Sequence, residues 1–291
     1  MRFGAYPGGV LGGPFDPPGE TVRLLDELAG GRPFLVRTYV PFTDTTVLGS
    51  PHPTTTPSAG LTGNGRMLDL VAQYQSRSGD VDGYCRFLCD LVDQYGAVTR
   101  CLQVTEEPNF VGDPSLDGDY PGVLDALREG VSAARAHAAR SGLTLEVGFN
   151  TTVLFGPSAD FLSRLGRVDV DYVGLDLFPD VFVPAPDLPV AALLTHHRTL
   201  LSEAGYANVP LHITEHGWPT DGDRSWDRQA EVVDTVVRAA VAAGVHTYTH
   251  FALRDVAPSL PGPFHEYGLV AWDHTPKPAF EVLRTLVSEF G

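Results

Sequence analysis

Only three cysteines, two methionines and three tryptophans occur in 291 residues. Cys85, Cys89 and Cys101 are too few, and odd in number, to build a disulfide framework. Cys85 and Cys89 stand four apart on an expected helix, a spacing open to a share in a metal site or to burial as small apolar groups; burial is the favoured reading. Positive charge is also scarce: 20 Lys and Arg face 36 Asp and Glu, giving a net charge of −16 and a pI near 4.9. Such a surface repels phosphate backbones and anionic membranes, which argues against a nucleic-acid partner. Hydrophobic residues make up 43% of the chain, yet no run of about 18 apolar residues is present to span a bilayer, so no membrane role is expected. The opening Met1-Arg-Phe-Gly-Ala-Tyr6 enters a strand at once, without the charged and apolar stretches of a leader. A cytoplasmic location is the expectation, unless a leader has been removed.

What the chain does contain is a repeated alternation. Strand-like runs are expected at 2–6, 34–40, 67–74, 99–106, 143–150, 170–178, 209–215 and 245–253. Helical patterns are expected at 20–29, 81–95, 121–141, 161–165, 188–204, 226–243 and 278–290, two of them closed by Gly142 and Gly244. Between strands two and three, residues 41–66 carry Pro41, Pro51, Pro53 and Pro57, so that helix is short or missing. The pattern predicts an α/β fold, a single (β/α)8 TIM barrel over 1–291 with a long, helix-poor connection after strand two. The long segments 41–66, 108–120, 179–187 and 254–275 all follow strands, which places them on the one face where such barrels keep their sites.

Two strand ends carry chemistry. Val209-Pro-Leu-His-Ile-Thr-Glu215-His-Gly-Trp218-Pro is an apolar run that ends in a carboxylate and is then broken by Gly217 and Pro219. Thr99-Arg-Cys-Leu-Gln-Val-Thr-Glu106-Glu107-Pro108-Asn109 has the same form. Either glutamate alone would read as a salt-bridged surface group. Two, on strands four and seven of one barrel, point to one site.

These motifs resemble those of the clan A retaining glycoside hydrolases, TIM barrels with an acid/base Glu after strand four and a nucleophile Glu at the end of strand seven. Glu106-Glu107-Pro-Asn resembles the clan's Asn-Glu-Pro signature, and Ile-Thr-Glu215-His-Gly-Trp-Pro is similar to its nucleophile strands. Arg37 matches the strand-two arginine beside the nucleophile, and Tyr267-Gly-Leu-Val-Ala-Trp272-Asp-His-Thr-Pro-Lys-Pro-Ala-Phe280 resembles the clan's final loop. The resemblance implies hydrolysis of a glycosidic bond with retention, on an oligosaccharide or small glycoside, with no cofactor. Glu107 would be the acid/base, with its proton held by the negative field around it, and Glu215 the nucleophile, ionised beside Arg37. The alternatives are a non-catalytic carbohydrate-binding barrel and a transglycosylase using the same two carboxylates.

Candidate substrate-binding residues are Arg37, Tyr39, Glu106, Asp176, Phe178, His216, Trp218, His250 and Trp272. Tyr39, Phe178, Trp218 and Trp272 offer faces for stacking on sugar or, equally, core and rim packing. His216 and His250 are placed at the mouth to bond hydroxyls, while His212 and His246 are expected to be structural. Two residues depart from the clan pattern: Glu106 stands where an Asn usually contacts the 2-hydroxyl, and Phe178 where many members place a Tyr. The histidines lack a compact ligand spacing for zinc, and Asp113, Asp117 and Asp119 are read as a solvated acidic loop rather than a calcium site, so no metal is expected.

Overall fold

The computed structural model describes residues 1–8, 18–54, 60–153, 159–182, 189–257 and 265–291. Eight strands form one closed barrel in sequence order: β1 (Arg2–Ala5), β2 (Phe34–Thr43), β3 (Arg66–Gln75), β4 (Thr99–Val104), β5 (Glu146–Thr152), β6 (Tyr172–Asp176), β7 (Leu211–His216) and β8 (Thr247–His250). Every neighbouring pair is parallel, and β8 closes on β1 through Phe3 opposite Tyr248 and Ala5 opposite His250. The helices are α1 (Pro18–Ala29), α2 (Val81–Tyr95), α3 (Val123–Arg140), α4 (Phe161–Leu165), α5 (Val190–Glu203), α6 (Trp226–Ala242) and α7 (Pro278–Phe290). Among the described residues no α-helix joins β2 to β3, in line with the proline-rich composition there. The expected α5 start at Leu188, and parts of the segments after β1, β2, β5, β6 and β8, lie outside the described residues.

The two-residue period of a strand sorts its side chains into two separate cores. In β2, Phe34, Val36, Val40 and Phe42 join Leu68, Leu70 and the inner faces of the helices. The alternate residues point into the barrel: Leu35 packs with Cys101 and Tyr172 near the floor, while Tyr39 joins Tyr6, Val71, Phe251 and Tyr267 near the top. His212 stacks on Tyr172 with ring centroids 4.2 Å apart, a structural role as expected. Helix α2 buries Tyr84, Phe87, Leu88, Leu91 and Val92, and its N-terminus is capped by Asp80, which accepts from Gly83 N at 2.8 Å.

Strands β5, β6 and β8 are among those shorter than the runs expected for them. Leu143 N bonds to Ala138 O and Val245 N to Ala240 O, so these residues finish the preceding helices before β5 and β8 begin. Strand β6 ends at Asp176, the register partner of Glu215, which leaves Phe178 on the connection beyond it. No helix among the described residues is long and apolar enough to cross a membrane.

Candidate active site

A polar layer crosses the barrel interior between the two apolar ones, and Arg37 is its centre. The guanidinium is fully buried: Nη1 donates to Asp69 Oδ2 at 3.0 Å, Nη2 to Gln103 Oε1 at 3.0 Å and Glu106 Oε2 at 3.3 Å, and Nε to Tyr39 Oη at 2.9 Å and Glu215 Oε1 at 3.2 Å. Burial alone works against a charged arginine, but the surrounding anions overcome it and hold Arg37 charged. Tyr39 Oη donates to Glu215 Oε1, so two donors from β2 grip the same oxygen of the β7 carboxylate.

The exit of β4 is bent to meet this group. Thr105 and Glu107 adopt left-handed backbone, with φ of 68° and 42°, conformations that non-glycine residues hold only when their surroundings enforce them. Here the enforcement is visible. Thr105 N donates to Ala72 O and Tyr84 Oη, Glu106 N to Asp117 Oδ2 at 2.7 Å, and Glu107 N to Asn150 Oδ1 at 2.8 Å. Asp117 is therefore no solvated loop residue: it is buried and also accepts from Tyr74 N at 2.7 Å, while Asp113 and Asp119 bond their own loop.

Asp176, at the end of β6, completes the cluster. Its Oδ1 accepts from Thr214 Oγ1 at 2.6 Å and its Oδ2 from Asn150 Nδ2 at 2.5 Å, and its carboxyl interacts with that of Glu107. Gly174 makes this approach possible: a Cβ there would lie 2.6 Å from Thr214 Oγ1 and 2.9 Å from Asn150 Cβ. Burial, then the charges of Asp176 and Glu215, push the Glu107 carboxyl well above the usual range. Burial and Glu215 push Asp176 up to about 7. Glu106 is also raised by burial, against the opposing pull of Arg37.

Oxygens of Glu106, Asp176 and Glu215 come within 4.8 Å of one another, the sole grouping of three potential metal ligands that close among the described residues. Each already accepts from protein donors, Glu106 from Gln103 and Arg37, Asp176 from Thr214 and Asn150, and Glu215 from Tyr39 and Arg37. The arrangement is a hydrogen-bonded carboxyl cluster around one arginine.

Of the residues singled out in the sequence, Arg37, Tyr39, Glu106, Glu107, Asp176 and Glu215 thus come together. Tyr39 is not an open stacking face. It is 2% exposed, lies under Arg37 with the guanidinium carbon 5.2 Å from its ring centre, and packs edge-on against Tyr6. Phe178 borders the cluster of aromatics above, 6.3 Å from Phe251 and 6.1 Å from Tyr267 between ring centres. Trp218, 6% exposed, is packed beneath Arg224 instead of standing open, and Trp272 is 53% exposed on the segment after β8.

The two histidines are placed differently from expectation. His216 Nδ1 and His250 Nδ1 both lie within hydrogen-bonding distance of Tyr248 Oη, at 2.6 and 3.1 Å. Tyr248 belongs to the helix-facing core and packs against Phe3. The register irregularity between Ile213 and His216 is the reason: it breaks the alternation of the strand, so Thr214 and Glu215 both reach the polar layer and His216 turns outward. Burial lowers His216 well below the usual range and takes His250 to about 3, so both are neutral structural groups. The contributors the sequence reading passed over are Asp69, Gln103, Asn150 and Thr214, and Asp117 is one it assigned to the solvent. Asp69 and Gln103 carried a signal, each being a polar residue that interrupts an apolar strand at an inward position.

Among solved structures, a family 39 glycoside hydrolase from Bacteroides cellulosilyticus matches with a TM-score of 0.69 at 14% identity, over 99% of this chain and 63% of that one. A family 5 enzyme variant of subfamily 18 from Bifidobacterium longum, in complex with Manβ1-4GlcNAc, matches with a TM-score of 0.70 at 13% identity, over 100% of this chain and 78% of that one. A family 2 β-galacturonidase from Eisenbergiella tayi matches at 0.64 and 13% identity, over 94% of this chain and 47% of that one. The fold is the closed, all-parallel (β/α)8 barrel that these glycoside hydrolases share. Against the family 39 and family 2 structures, the chain spans about half to two thirds of their length. No protein-family model matches the chain, and no curated protein matches it.

Proposed function

We propose that the protein hydrolyses a glycosidic bond with retention, acting on an oligosaccharide or small glycoside, with Glu215 as nucleophile and Glu107 as acid/base. One observation carries the reading: Glu215 is gripped through Oε1 by Arg37 and Tyr39, while burial and the charges of Asp176 and Glu215 favour the proton on a second carboxyl, Glu107, in the same cluster. Retaining hydrolysis needs this division of labour between two carboxyls. The grip on Oε1 leaves Oε2 to attack the anomeric carbon, while Glu107 gives its proton to the departing glycosidic oxygen. A covalent glycosyl-enzyme results. Esterification removes the negative charge of Glu215 that helped keep Glu107 protonated, so Glu107 can now ionise and take a proton from water. The water attacks the same face that the leaving group vacated, and two inversions restore the anomeric configuration.

The test is Glu215→Ala assayed on activated aryl glycosides of several sugars. Turnover should fall by several orders of magnitude with the fold retained, and azide should restore it with a product of opposite anomeric configuration. Full activity in this variant would end the assignment.

A further inference from the structure

Asp176 has no part in the two-carboxyl scheme, yet it is the residue that joins the two. It is the register partner of Glu215 across β6 and β7, and its carboxyl interacts with that of Glu107. Its own position is fixed independently of either, by Thr214 Oγ1 on one oxygen and Asn150 Nδ2 on the other. Asn150 also holds the Glu107 backbone through its Oδ1, so a single side chain sets both ends of the Glu107–Asp176 contact. A buried carboxyl this close to a second one is accommodated when the two share a proton.

We infer that Asp176 is a positioning residue of the reaction, accepting a hydrogen bond from protonated Glu107 and so fixing where the acid proton is presented. The inference rests on the glycosidase reading above. The proton lies on Glu107 in the free enzyme, passes to the leaving oxygen when the glycosyl-enzyme forms, and is replaced from water in the second step. Asp176 accepts throughout and exchanges no proton with substrate. The groups that face it are Glu107 and Glu106 from the exit of β4, Asn150 from β5, and Thr214 and Glu215 from β7, with Arg37 of β2 as the compensating cation. Burial and Glu215 raise Asp176, while its interaction with Glu107 lowers it and raises Glu107, the direction expected where the proton stays on Glu107.

The experiment compares Asp176→Asn with the wild type. An amide carries no charge and can donate to ionised Glu107, so Glu107 should give up its proton more readily. The alkaline limb of kcat/KM should move to lower pH by about one unit or more. Losses at pH 7 should be on the order of tenfold greater for an alkyl glycoside, which needs the proton, than for a dinitrophenyl glycoside, which does not. A second measurement needs no substitution. In wild-type protein labelled with carboxyl-13C aspartate and glutamate, one Asp and one Glu signal should titrate together in two shared steps, and independent single-step curves would overturn the inference. A retaining enzyme whose alkaline limb is the same in Asp176→Asn also overturns it while leaving the glycosidase reading intact. A wild type that turns over no glycoside overturns both.

Discussion

Arg37 Nε lies 3.2 Å from Glu215 Oε1, tying β2 to β7 across the barrel interior, and the same guanidinium also pairs with Asp69 and Glu106. One buried cation therefore serves three buried carboxyls. Removing it strands all three, and loss of one partner of a buried ion pair costs about 3–5 kcal/mol.

Arg37→Met should accordingly be destabilised by at least that order, with a deficit that depends on pH. Without the cation, Asp69 and Glu106, already raised by burial, bind protons still more tightly in the folded state than in the unfolded one. Stability carried by a raised carboxyl is present below its unfolded pKa and lost as pH rises through the folded one, so the deficit should be larger at pH 8 than at pH 5. Urea denaturation of both proteins at the two pH values checks this. A deficit independent of pH would mean that these carboxyls do not depend on Arg37.

Glu107→Ala should separate substrates by leaving group. Departure of a dinitrophenolate needs no proton, whereas departure of an alkoxide does, so the variant should lose on the order of a hundredfold or more on the poor leaving group and far less on the good one. The alkaline limb of the pH–rate profile should disappear with it. Equal losses on both substrates would remove Glu107 from the acid/base role.

His197 is a separate liability, remote in function from the carboxyls. It is fully buried in α5, with neither ring nitrogen hydrogen-bonded among the described residues, and burial lowers it to about 3. A histidine depressed in the folded state supports stability above its unfolded pKa, near 6.5, and that support is lost as pH falls towards 3. His197→Leu has no such loss. Between pH 8 and pH 5 the variant should gain about 2 kcal/mol on the wild type, read from denaturation midpoints at the two pH values. A constant difference would show that His197 is already solvated or paired.

How much of this was readable from the chain follows from which forces act locally. The barrel was legible because each strand and helix carries its own hydrophobic period, and because Gly142 and Gly244 mark helix ends by backbone conformation alone. Glu215 and Arg37 were legible because each sits in a short, recognisable strand motif. The fate of His216 was not, since one residue beside Glu215 decides between the barrel interior and the helix-facing core, and the register shift between Ile213 and His216 is set by pairing with β8. Asn150 and Thr214 matter only because β5, β6 and β7 lie side by side, with Gly174 clearing the space between them. Asp117 looked like one of several loop acids, and only the folded β4 exit reveals that it holds the Glu106 backbone.

Glu106 is the departure from the clan pattern that the structure now allows to be tested most sharply. Its two oxygens are in unequal surroundings. Oε2 is engaged by Arg37 Nη2 at 3.3 Å and Gln103 Nε2 at 2.5 Å, while Oε1 accepts one long hydrogen bond among the described residues, from Asn150 Nδ2 at 3.4 Å. The first oxygen explains how a further carboxyl is tolerated beside Glu107 and Glu215, because Arg37 compensates it. We place the second against the substrate, where as an acceptor it would favour a hydroxyl or an ammonium over any group that only accepts. Glu106→Asn shortens the side chain, withdraws it from Arg37 and substitutes an amide that also donates. Relative kcat/KM across a matched 2-hydroxy, 2-deoxy and 2-amino series should change by about tenfold or more, the scale of one lost charged hydrogen bond. The fold should survive, since Arg37 keeps Asp69 and Glu215 as partners. If the ratios stay unchanged while stability falls, Glu106 serves Arg37 alone, and discrimination at the 2-position must come from other residues of the site.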